Sequence, residues 1–312
     1  MSTVGARPHP SLRRYTTELA RHRVRVVPGA AGTVWTGYES GSIRRLPLFH
    51  VAPPVRGEIR RALWCGRATV AGYLLAPDAR HPANGWLYIC TDRDYALAQR
   101  PAAFRRAVRQ GLTHCRIARL TPDELLAHGF PAFHDTRCRH GLSDGTLDAF
   151  RERFIARARV AGHVFYGAWA GDRLAAFLSV TEVDDWAEIE GSFSVDALRH
   201  LRPNDALVYT ILSYYMRQRA CHAVHFGLSS IQAATNAVGL HAFKVKVGFE
   251  ARLVHRAFAI HPLLRPLVNG LTLWGVRTAL LLRPGDRRLK KAGGIVTTML
   301  GLAPPVDARE KI

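Results

Sequence analysis

The amino-acid sequence predicts an α/β protein, more exactly an α+β arrangement built on a mixed β-sheet. Short runs rich in Val, Ile, Tyr and Trp, many of them broken by Gly or Pro, fill residues 24–92 and return at 163–195 and 223–227. Between these runs lie segments whose apolar residues recur at helical spacing. A chain of 312 residues with 48% hydrophobic content can bury the core that such a layered fold needs.

The charge of the chain is unevenly distributed. The chain carries 39 Arg but only five Lys, and its formal net charge is +20. Residues 1–119 have a net charge of +14 and residues 261–312 one of +6, whereas residues 120–260 are neutral. Basic flanks suit a polyanion such as tRNA, an anionic membrane surface or a nucleotide-linked substrate, although solvated Arg-rich faces also explain them.

The cysteines and the N-terminus favour a cytoplasmic protein. Five widely spaced cysteines, an odd number without a Cys-x-x-Cys pair, predict neither a disulfide framework nor a zinc site. Residues 251–262 contain histidines but no metal-ligand spacing, so we predict no metal. The basic residues at the N-terminus are not followed by an apolar segment, so we predict no signal peptide.

The N-terminal part combines strands with a basic helix. Residues 1–23 are predicted to form a polar, helical lead-in, and residues 24–92 to form short strands. A helix is predicted from Tyr95 to Gln110, with three arginines on one face, Arg105, Arg106 and Arg109. These arginines could bind phosphates, or they could form a solvated surface.

The middle of the chain contains two helices and a hairpin. Thr121, followed by Pro122 and Glu124, is typical of a helix start, because a hydroxyl can cap the helix and an acid favours its positive end. Apolar residues at helical spacing between 147 and 158 predict a core-facing helix. Two strand-like runs then meet at residues 170–173, where a Gly-Asp pair suits a tight turn.

The next strand, at residues 186–195, places two carboxylates on one side. Trp186, Glu188 and Glu190 alternate with small or apolar neighbours and therefore point to the same face. Two carboxylates are costly on a buried face, while an edge that faces solvent explains them equally well. Glu190 is the better candidate for chemistry because it lies nearer the end of the strand.

The chain is organised around residues 222–250. This stretch predicts a strand at 223–227, a polar loop at 228–235 and a helix that ends at Gly248. Two of the five lysines, Lys244 and Lys246, lie in that helix. In so Arg-rich a chain, a Lys indicates a need for a compact ammonium, although both residues also fit solvated helix positions.

The tail, residues 261–312, is predicted to be basic, amphipathic and helical. Apolar residues from 264 to 282 form one helical stripe, but the segment is short and polar for a transmembrane span. Two alternatives stay open. The helix packs on the domain, or it lies in an anionic membrane interface.

Two segments carry a resemblance to a known superfamily. LHAFKVKVGFE, at residues 240–250, resembles the closing helix and strand of GNAT acyltransferases and is still more similar to their Fem-like relatives, which duplicate that fold. FRRAVRQGL, at 104–112, resembles the basic segment that opens the second half of Fem-like acyltransferases. The resemblance implies two tandem GNAT-like subdomains, at residues 1–115 and 116–260, followed by the helical tail at 261–312.

The resemblance also implies catalytic roles for two residues. In the GNAT pattern the fourth strand often carries a Glu that acts as base for the attacking amine, and Glu190 holds that place here. Lys244 falls where many GNAT members have a tyrosine that protonates the leaving group. In Fem-type enzymes a lysine at this place steadies an oxyanion or a tRNA phosphate.

The donor implied by the superfamily is acyl-coenzyme A, such as acetyl-CoA, as a co-substrate and without a bound cofactor. In GNAT proteins a glycine-rich loop before a helix holds its pyrophosphate, but residues 199–206 contain no glycine, and a proline removes one amide donor. Side chains near this helix and in the 228–235 loop and just after it could contribute instead, namely Arg199, Arg202, Asn204, Asp205, Ser229 and Asn236.

The function predicted in this way is an N-acyltransferase that moves an acyl group from acyl-CoA to a small-molecule, saccharide or peptide amine. One alternative is a Fem-type aminoacyltransferase that uses aminoacyl-tRNA, favoured by the missing glycines and the basic N-terminal half. A second alternative is a non-enzymatic protein on the same fold that binds nucleic acid or a membrane surface. The predicted location is the cytoplasm, with peripheral contact at the inner membrane face as a further option.

Overall fold

The computed structural model describes residues 12–22, 24–39, 41–158, 160, 162–229 and 237–303. These residues form a mixed sheet flanked by helices, so the predicted α/β fold class is confirmed. The strands are β1 (Val26–Pro28), β2 (Val34–Glu39), β3 (Ser42–Leu46), β4 (Val70–Leu75), β5 (Gly85–Cys90), β6 (Arg116–Leu120), β7 (His163–Ala170), β8 (Arg173–Val183), β9 (Trp186–Ser194), β10 (Ala223–Leu228) and β11 (Glu250–Ile260).

The α-helices are α1 (Leu12–Arg21), α2 (Glu58–Cys65), α3 (Ala102–His114), α4 (Pro122–His128), α5 (Phe130–Arg139), α6 (Leu147–Ala158), α7 (Pro203–Ser213), α8 (Ala237–Val247), α9 (Gly270–Leu282) and α10 (Arg287–Met299). Short 3₁₀ segments lie at Leu97–Gln99, Asp196–Leu201 and Pro262–Leu267, and a π-helical turn at Tyr214–Gln218 extends α7.

The strand order along the sheet is β1-β2-β3-β4-β11-β5-β10-β9-β8-β7-β6. β5 comes from the N-terminal part of the sequence, yet it lies between β10 and β11 and pairs antiparallel with both. The sheet therefore runs across the boundary predicted at residues 115 and 116. The predicted division into 1–115, 116–260 and 261–312 stays a prediction.

The two faces of the sheet carry different helices. On one face, Val224 and Phe226 of β10 pack with residues of α3 and α7, such as Val108 and Leu207. On the opposite face, Trp186 of β9 packs in a cluster that contains Leu12 and Leu19 of α1. Because alternate residues of a strand face opposite sides, neighbours in β9 and β10 contribute to different environments.

Two local predictions hold, and a third is wrong. The Thr121 side chain accepts from the Glu124 amide and starts α4 with a capping box, and Ala170 pairs with Arg173 at the predicted hairpin. The predicted helix from Tyr95 to Gln110 is instead a 3₁₀ turn followed by α3, which starts after Pro101. Proline has no amide hydrogen and restricts the residue before it, so a helix cannot run through this position unbroken.

The single helical stripe predicted for residues 264–282 is divided between a 3₁₀ segment and α9. The 3₁₀ segment ends at Leu267, and Asn269 then caps α9 by accepting from the Thr272 amide. α10 packs against β11, and α9 packs on α10, so α9 is the outer of the two helices. In the described part of the chain, no helix has the length and apolar character needed to cross a membrane.

Candidate active site

The site is built where the parallel strands β9 and β10 stop pairing. The two strands pair from Ala223, which lies opposite Trp186, to His225, which lies opposite Glu188, and no further. On the other side of β9, Ser179 of β8 pairs with Gly191 while the next residue of β8 pairs with Ile189. Glu190 is therefore the extra residue of a β-bulge. Bulges bend a strand and re-aim its side chains.

β10 is irregular at the same level. His225 pairs with β5 in regular register, but the register shifts before Leu228. Gly227, within the irregular part, has a φ of 63°, a left-handed conformation that favours glycine. Because the two irregular strands stop pairing at the same level, they leave an opening between residues 189–194 of β9 and residues 226–229 at the end of β10 and directly after it, called here the strand opening.

Lys244 of α8 lies against one side of the strand opening. It is only 3% exposed, and its Nζ donates to the backbone carbonyl of Phe226 at 2.7 Å. The ammonium also lies 4.2 Å from the ring centre of Tyr88 and 4.7 Å from that of Phe226. Burial, with a smaller effect from the charge of Arg256, lowers the pKa of Lys244 to about 7.

Aromatic and imidazole groups surround this lysine. The Tyr88 hydroxyl lies 2.9 Å from Nδ1 of His241, one turn before Lys244 on α8. Burial raises the pKa of Tyr88 to about 12, so this hydroxyl is neutral at physiological pH. No carboxylate forms a salt bridge with Lys244 in the described ranges. The ammonium is therefore held by a carbonyl and by ring faces.

A cleft of about 250 Å³ lies beside the strand opening. Glu188 of β9, Gly227 and Leu228 of β10, and Ser229 directly after β10 line it. Four basic side chains also line the cleft, namely Arg44, Arg256, Arg287 and Lys291. Apolar side chains complete its walls, among them Leu48, Leu74, Phe258 and Ile295. The cleft can therefore hold a group that is anionic in one part and apolar in another.

Glu188 and Glu190 are bound by arginines. The Arg44 guanidinium donates to both carboxylate oxygens of Glu188, at 2.6 and 2.7 Å. Glu190 accepts from Arg157 and from the Thr181 hydroxyl. Burial alone would raise the pKa of Glu190. The charges of Arg157, His163 and Arg44 have a larger, opposite effect, and with the hydrogen bond from Thr181 they lower the pKa of Glu190 to about 2.

The structure does not bring Glu190 and Lys244 together, as the predicted pair of base and acid would require. Glu190 lies beside Arg44 and Glu188 on the face that carries Trp186. Lys244 contacts rings of the opposite face. With so low a pKa and both carboxylate oxygens bonded, Glu190 is a weak base. Glu188, rather than Glu190, lines the cleft.

Four of the predicted donor-site residues do meet at the start of α7. Arg199 and Arg202 are exposed there, and the Asn204 side chain accepts from the Ser192 hydroxyl at 3.2 Å. Asp205 is buried, and its carboxylate forms a 2.9 Å salt bridge with Lys246. A carboxylate therefore occupies the first turn of this helix, the place where a phosphate would need positive potential.

The other two predicted donor-site residues do not join this group. The Ser229 hydroxyl accepts from the Trp86 amide at 2.9 Å, and its carbonyl accepts from Arg256 at 2.6 Å. Ser229 therefore ties the end of β10 to β5 and β11, and it lines the cleft. Asn236 lies outside the described residues.

Sequence reasoning missed the side chains that shape the site from a distance, above all Arg44, Tyr88, His241 and Arg256. Arg44 lies 144 residues before its partner Glu188, so no local pattern could link them. The sequence does point to Glu188, because the alternation of side chains along a strand places Glu188 on the same face as Glu190. Within the described residues, no group of three or more His, Cys, Asp or Glu could hold a metal ion.

No protein-family model and no curated protein sequence matches the chain. Solved structures do resemble it. The C-terminal DUF2156 domain of a putative lysylphosphatidylglycerol synthetase from Agrobacterium fabrum has a TM-score of 0.52 at 16% identity, with 90% of this chain and 97% of that chain covered. FemX has a TM-score of 0.55 at 10% identity, with 84% and 96% covered.

A conserved protein of unknown function from Bacteroides thetaiotaomicron has a TM-score of 0.50 at 11% identity, with 83% of this chain and 93% of that chain covered. Identities this low establish the fold alone. The chain has a GNAT-type fold of the Fem-like kind, as the segment at 240–250 predicts.

Proposed function

We propose that this chain, with its GNAT-type, Fem-like fold, is a transferase that moves an acyl or aminoacyl group. The observation that carries the proposal is the buried ammonium of Lys244 at the strand opening. Keeping a cation buried without a carboxylate partner costs folding free energy. Such groups cluster at functional sites, where their shifted pKa is used in chemistry.

A lysine with a pKa of about 7 fits two tasks in acyl transfer. Its ammonium can donate a hydrogen bond to the oxyanion that forms when a nucleophile attacks the donor carbonyl. It can also give its proton to the leaving oxygen, because an acid with a pKa near the working pH is both protonated and able to release its proton. Lys246 does not share this setting, since its charge is paired with Asp205.

Within this function, we place an aminoacyl ester of tRNA ahead of acyl-CoA as the donor. The first turn of α7 contains Pro203, which has no amide hydrogen, and the buried carboxylate of Asp205. A pyrophosphate at this helix end would meet fewer amide donors and a negative charge. The basic residues at 1–119 suit a polyanionic donor.

The proposed step is a direct transfer. The nucleophile of the acceptor attacks the ester carbonyl carbon and forms a new bond to it, and the bond from that carbon to the tRNA hydroxyl oxygen breaks. Lys244 gives its proton to this oxygen and recovers one from water. The proton of the acceptor nucleophile leaves to water in the cleft. No covalent intermediate on the protein is needed, since both substrates are held together.

The cleft is the proposed acceptor site; it lies on the face of the sheet that carries Glu188, so the acceptor would reach Lys244 through the strand opening. Arg44 already binds Glu188, so the basic side chains that would bind an anionic group are Arg256, Arg287 and Lys291, and the apolar wall would take the apolar part of the same molecule. The acceptor would therefore be an anionic amphiphile that carries an amine or a hydroxyl. Glu190 is not given the base role, because of its low pKa and its bonds to Arg157 and Thr181.

Ligand-dependent thermal unfolding tests the choice of donor. We would titrate the full chain with a non-hydrolysable aminoacyl-tRNA analogue, with uncharged tRNA and with acetyl-CoA, each at low and moderate salt. A ligand that binds only the folded state raises the unfolding temperature. We expect a salt-sensitive rise that is larger with the aminoacyl analogue than with uncharged tRNA. A saturable rise with acetyl-CoA and none with tRNA would favour the acyl-CoA donor.

A further inference from the structure

The outward face of the tail is apolar where solvent should favour polar groups. Six large side chains on the 3₁₀ segment and on α9 are more than half exposed: Leu263, Leu267, Leu271, Trp274, Leu281 and Leu282. On α9, Leu271 is 80% and Leu281 82% exposed. Large apolar side chains grouped in this way mark an interaction surface, whereas single exposed ones are ordinary.

These side chains form one face, called here the tail face. With residues 100° apart around a helix, the four on α9 project within an arc of about 100°. The opposite side of α9 packs on α10, where Leu273 is buried and Val276 lies close to Gly293. α9 is therefore apolar on both sides, although the described residues of the chain cover only one of them.

The charge around the tail face is positive. Residues 261–303 contain seven basic residues against one acid, Asp286, which caps α10 by accepting from the amides of Arg288 and Leu289. Arg265 and Arg277 are exposed on the same two segments as the apolar side chains, and Arg283 is exposed directly after α9. An apolar face with a Trp, flanked by arginines, has the composition of a helix that lies in an anionic lipid interface.

The same charges disfavour a second copy of this chain as the partner. A symmetric dimer through the tail face would bring the arginines of the two copies near one another, and residues 261–303 of each copy contain a single acid, Asp286, to offset them. A bilayer with anionic headgroups offers both an apolar layer and negative charge. α9 spans about 20 Å, too short for a hydrocarbon core of about 30 Å, so it would lie along the surface rather than cross it.

We propose that the tail face, residues 263–282, docks this protein on an anionic membrane surface. α10 lies between this face and the sheet, and its Arg287, Lys291 and Ile295 line the cleft described above. Docking through α9 therefore places the cleft one helix away from the lipid surface. The proposal does not rest on the transferase activity, because it requires no donor and no acceptor.

Vesicle flotation with the full chain tests this proposal. We would compare vesicles of phosphatidylcholine with vesicles of equimolar phosphatidylcholine and phosphatidylglycerol, at low and moderate salt. We expect clear flotation with the anionic vesicles and weak flotation with the neutral ones. Added salt should weaken the binding without abolishing it, since the apolar part is not screened.

The informative variant is Leu271→Ser combined with Leu281→Ser, and the matched control is Val55→Ser. All three side chains are exposed, at 80%, 82% and 56%, so the substitutions should leave the fold intact, which circular dichroism would check. We expect the double variant to bind anionic vesicles at least about tenfold more weakly, because two leucines no longer enter the interface. The control should bind like the unmodified protein.

Trp274 provides a second measurement. Its fluorescence should shift to shorter wavelength on anionic vesicles, and Trp274→Phe should lose most of that shift. The proposal is overturned by equal binding of the double variant and the control, or by no binding to any vesicle. It is also overturned if the tail face proves to join two copies, seen as a dimer in ultracentrifugation that the double variant breaks in the absence of vesicle binding.

Discussion

The Nζ of Lys244 lies 2.7 Å from the backbone carbonyl oxygen of Phe226. Phe226 is the first residue of β10 beyond the end of its pairing with β9. A side chain of α8 thus bonds a main-chain acceptor at the strand opening. This contact has a structural part, because it satisfies a buried carbonyl, and a proposed chemical part, because it places a proton donor at the opening. Variants of Lys244 must separate the two.

Lys244→Met should abolish most of the transfer activity. Loss of one contact to a developing oxyanion costs about 3 kcal/mol, or about a hundredfold in rate. Two opposing effects act on the stability of this variant, because the Phe226 carbonyl loses its partner while the cost of burying an ammonium is removed, so its unfolding should be measured beside the rate. The rate should therefore be measured well below the unfolding temperature. Lys290→Met is the matched control, since Lys290 donates to the Gly141 carbonyl at an exposed site. Equal rates in the two variants would remove Lys244 from the mechanism.

Transfer should fall as the pH rises through about 7. The proposed role needs the charged form of Lys244, and burial lowers the pKa of this group to about 7, so the charge is lost above that pH. Lys244→Arg keeps the charge at all these pH values. Lys244→Arg should transfer more slowly, but its transfer rate should not fall as the pH rises through about 7. The same fall in both proteins would assign it to another group.

Glu190→Gln should affect stability rather than chemistry. The folded protein holds the pKa of Glu190 at about 2, below the ordinary value of 4.5, so the ionised form contributes stability above the ordinary value. This contribution is lost as the pH falls toward 2. The variant should be less stable than the unmodified protein at pH 7, and the difference should shrink between pH values of about 5 and 2. Chemical unfolding at several pH values measures it.

The exposed Glu152 supplies the control for this experiment, because Glu152→Gln should show no such pH-dependent difference. Transfer by Glu190→Gln, normalised to folded protein, should stay close to that of the unmodified protein. A folded Glu190→Gln variant with little activity would instead support the base role that the sequence predicts.

Asp205→Asn should raise the affinity for coenzyme A. The change removes a negative charge from the first turn of α7 and breaks the salt bridge with Lys246, which leaves a cation near the helix start. Coenzyme A binding, measured by calorimetry, should strengthen relative to the unmodified protein. Asp196→Asn removes a largely exposed acid before the same helix and should have a smaller effect. No gain in Asp205→Asn would mean that this carboxylate does not exclude the pyrophosphate.

The sequence predicted the elements whose signals are local. The capping box at Thr121, the hairpin turn before Arg173 and the strand from Trp186 each depend on residues that lie next to one another in the chain. The start of α3 after Pro101 departs from the predicted helix because proline supplies no amide hydrogen to the turn before it, a local effect that apolar spacing does not show.

The features of the site that were missed depend on contacts between distant segments. The bulge at Glu190 is visible only through its pairing with β8, and the pairing of Glu188 depends on Arg44 of β3. The burial of Lys244 follows from the docking of α8 on Tyr88 and Phe226. The part of the predicted apolar stripe at residues 271–282 lies on α9, but the 3₁₀ segment interrupts the stripe before it, and its outward orientation is set by the packing of α9 on α10.

The most direct test of the proposed function is the transfer of label from donor to acceptor. Aminoacyl-tRNA with a labelled amino acid and labelled acetyl-CoA would be incubated separately with the protein and with an extract of the source cells that contains lipids and small amines. We expect label to reach an acceptor from aminoacyl-tRNA, and to do so at least about a hundredfold more slowly with Lys244→Met. Transfer from acetyl-CoA alone, or equal transfer by Lys244→Met, would contradict the proposal.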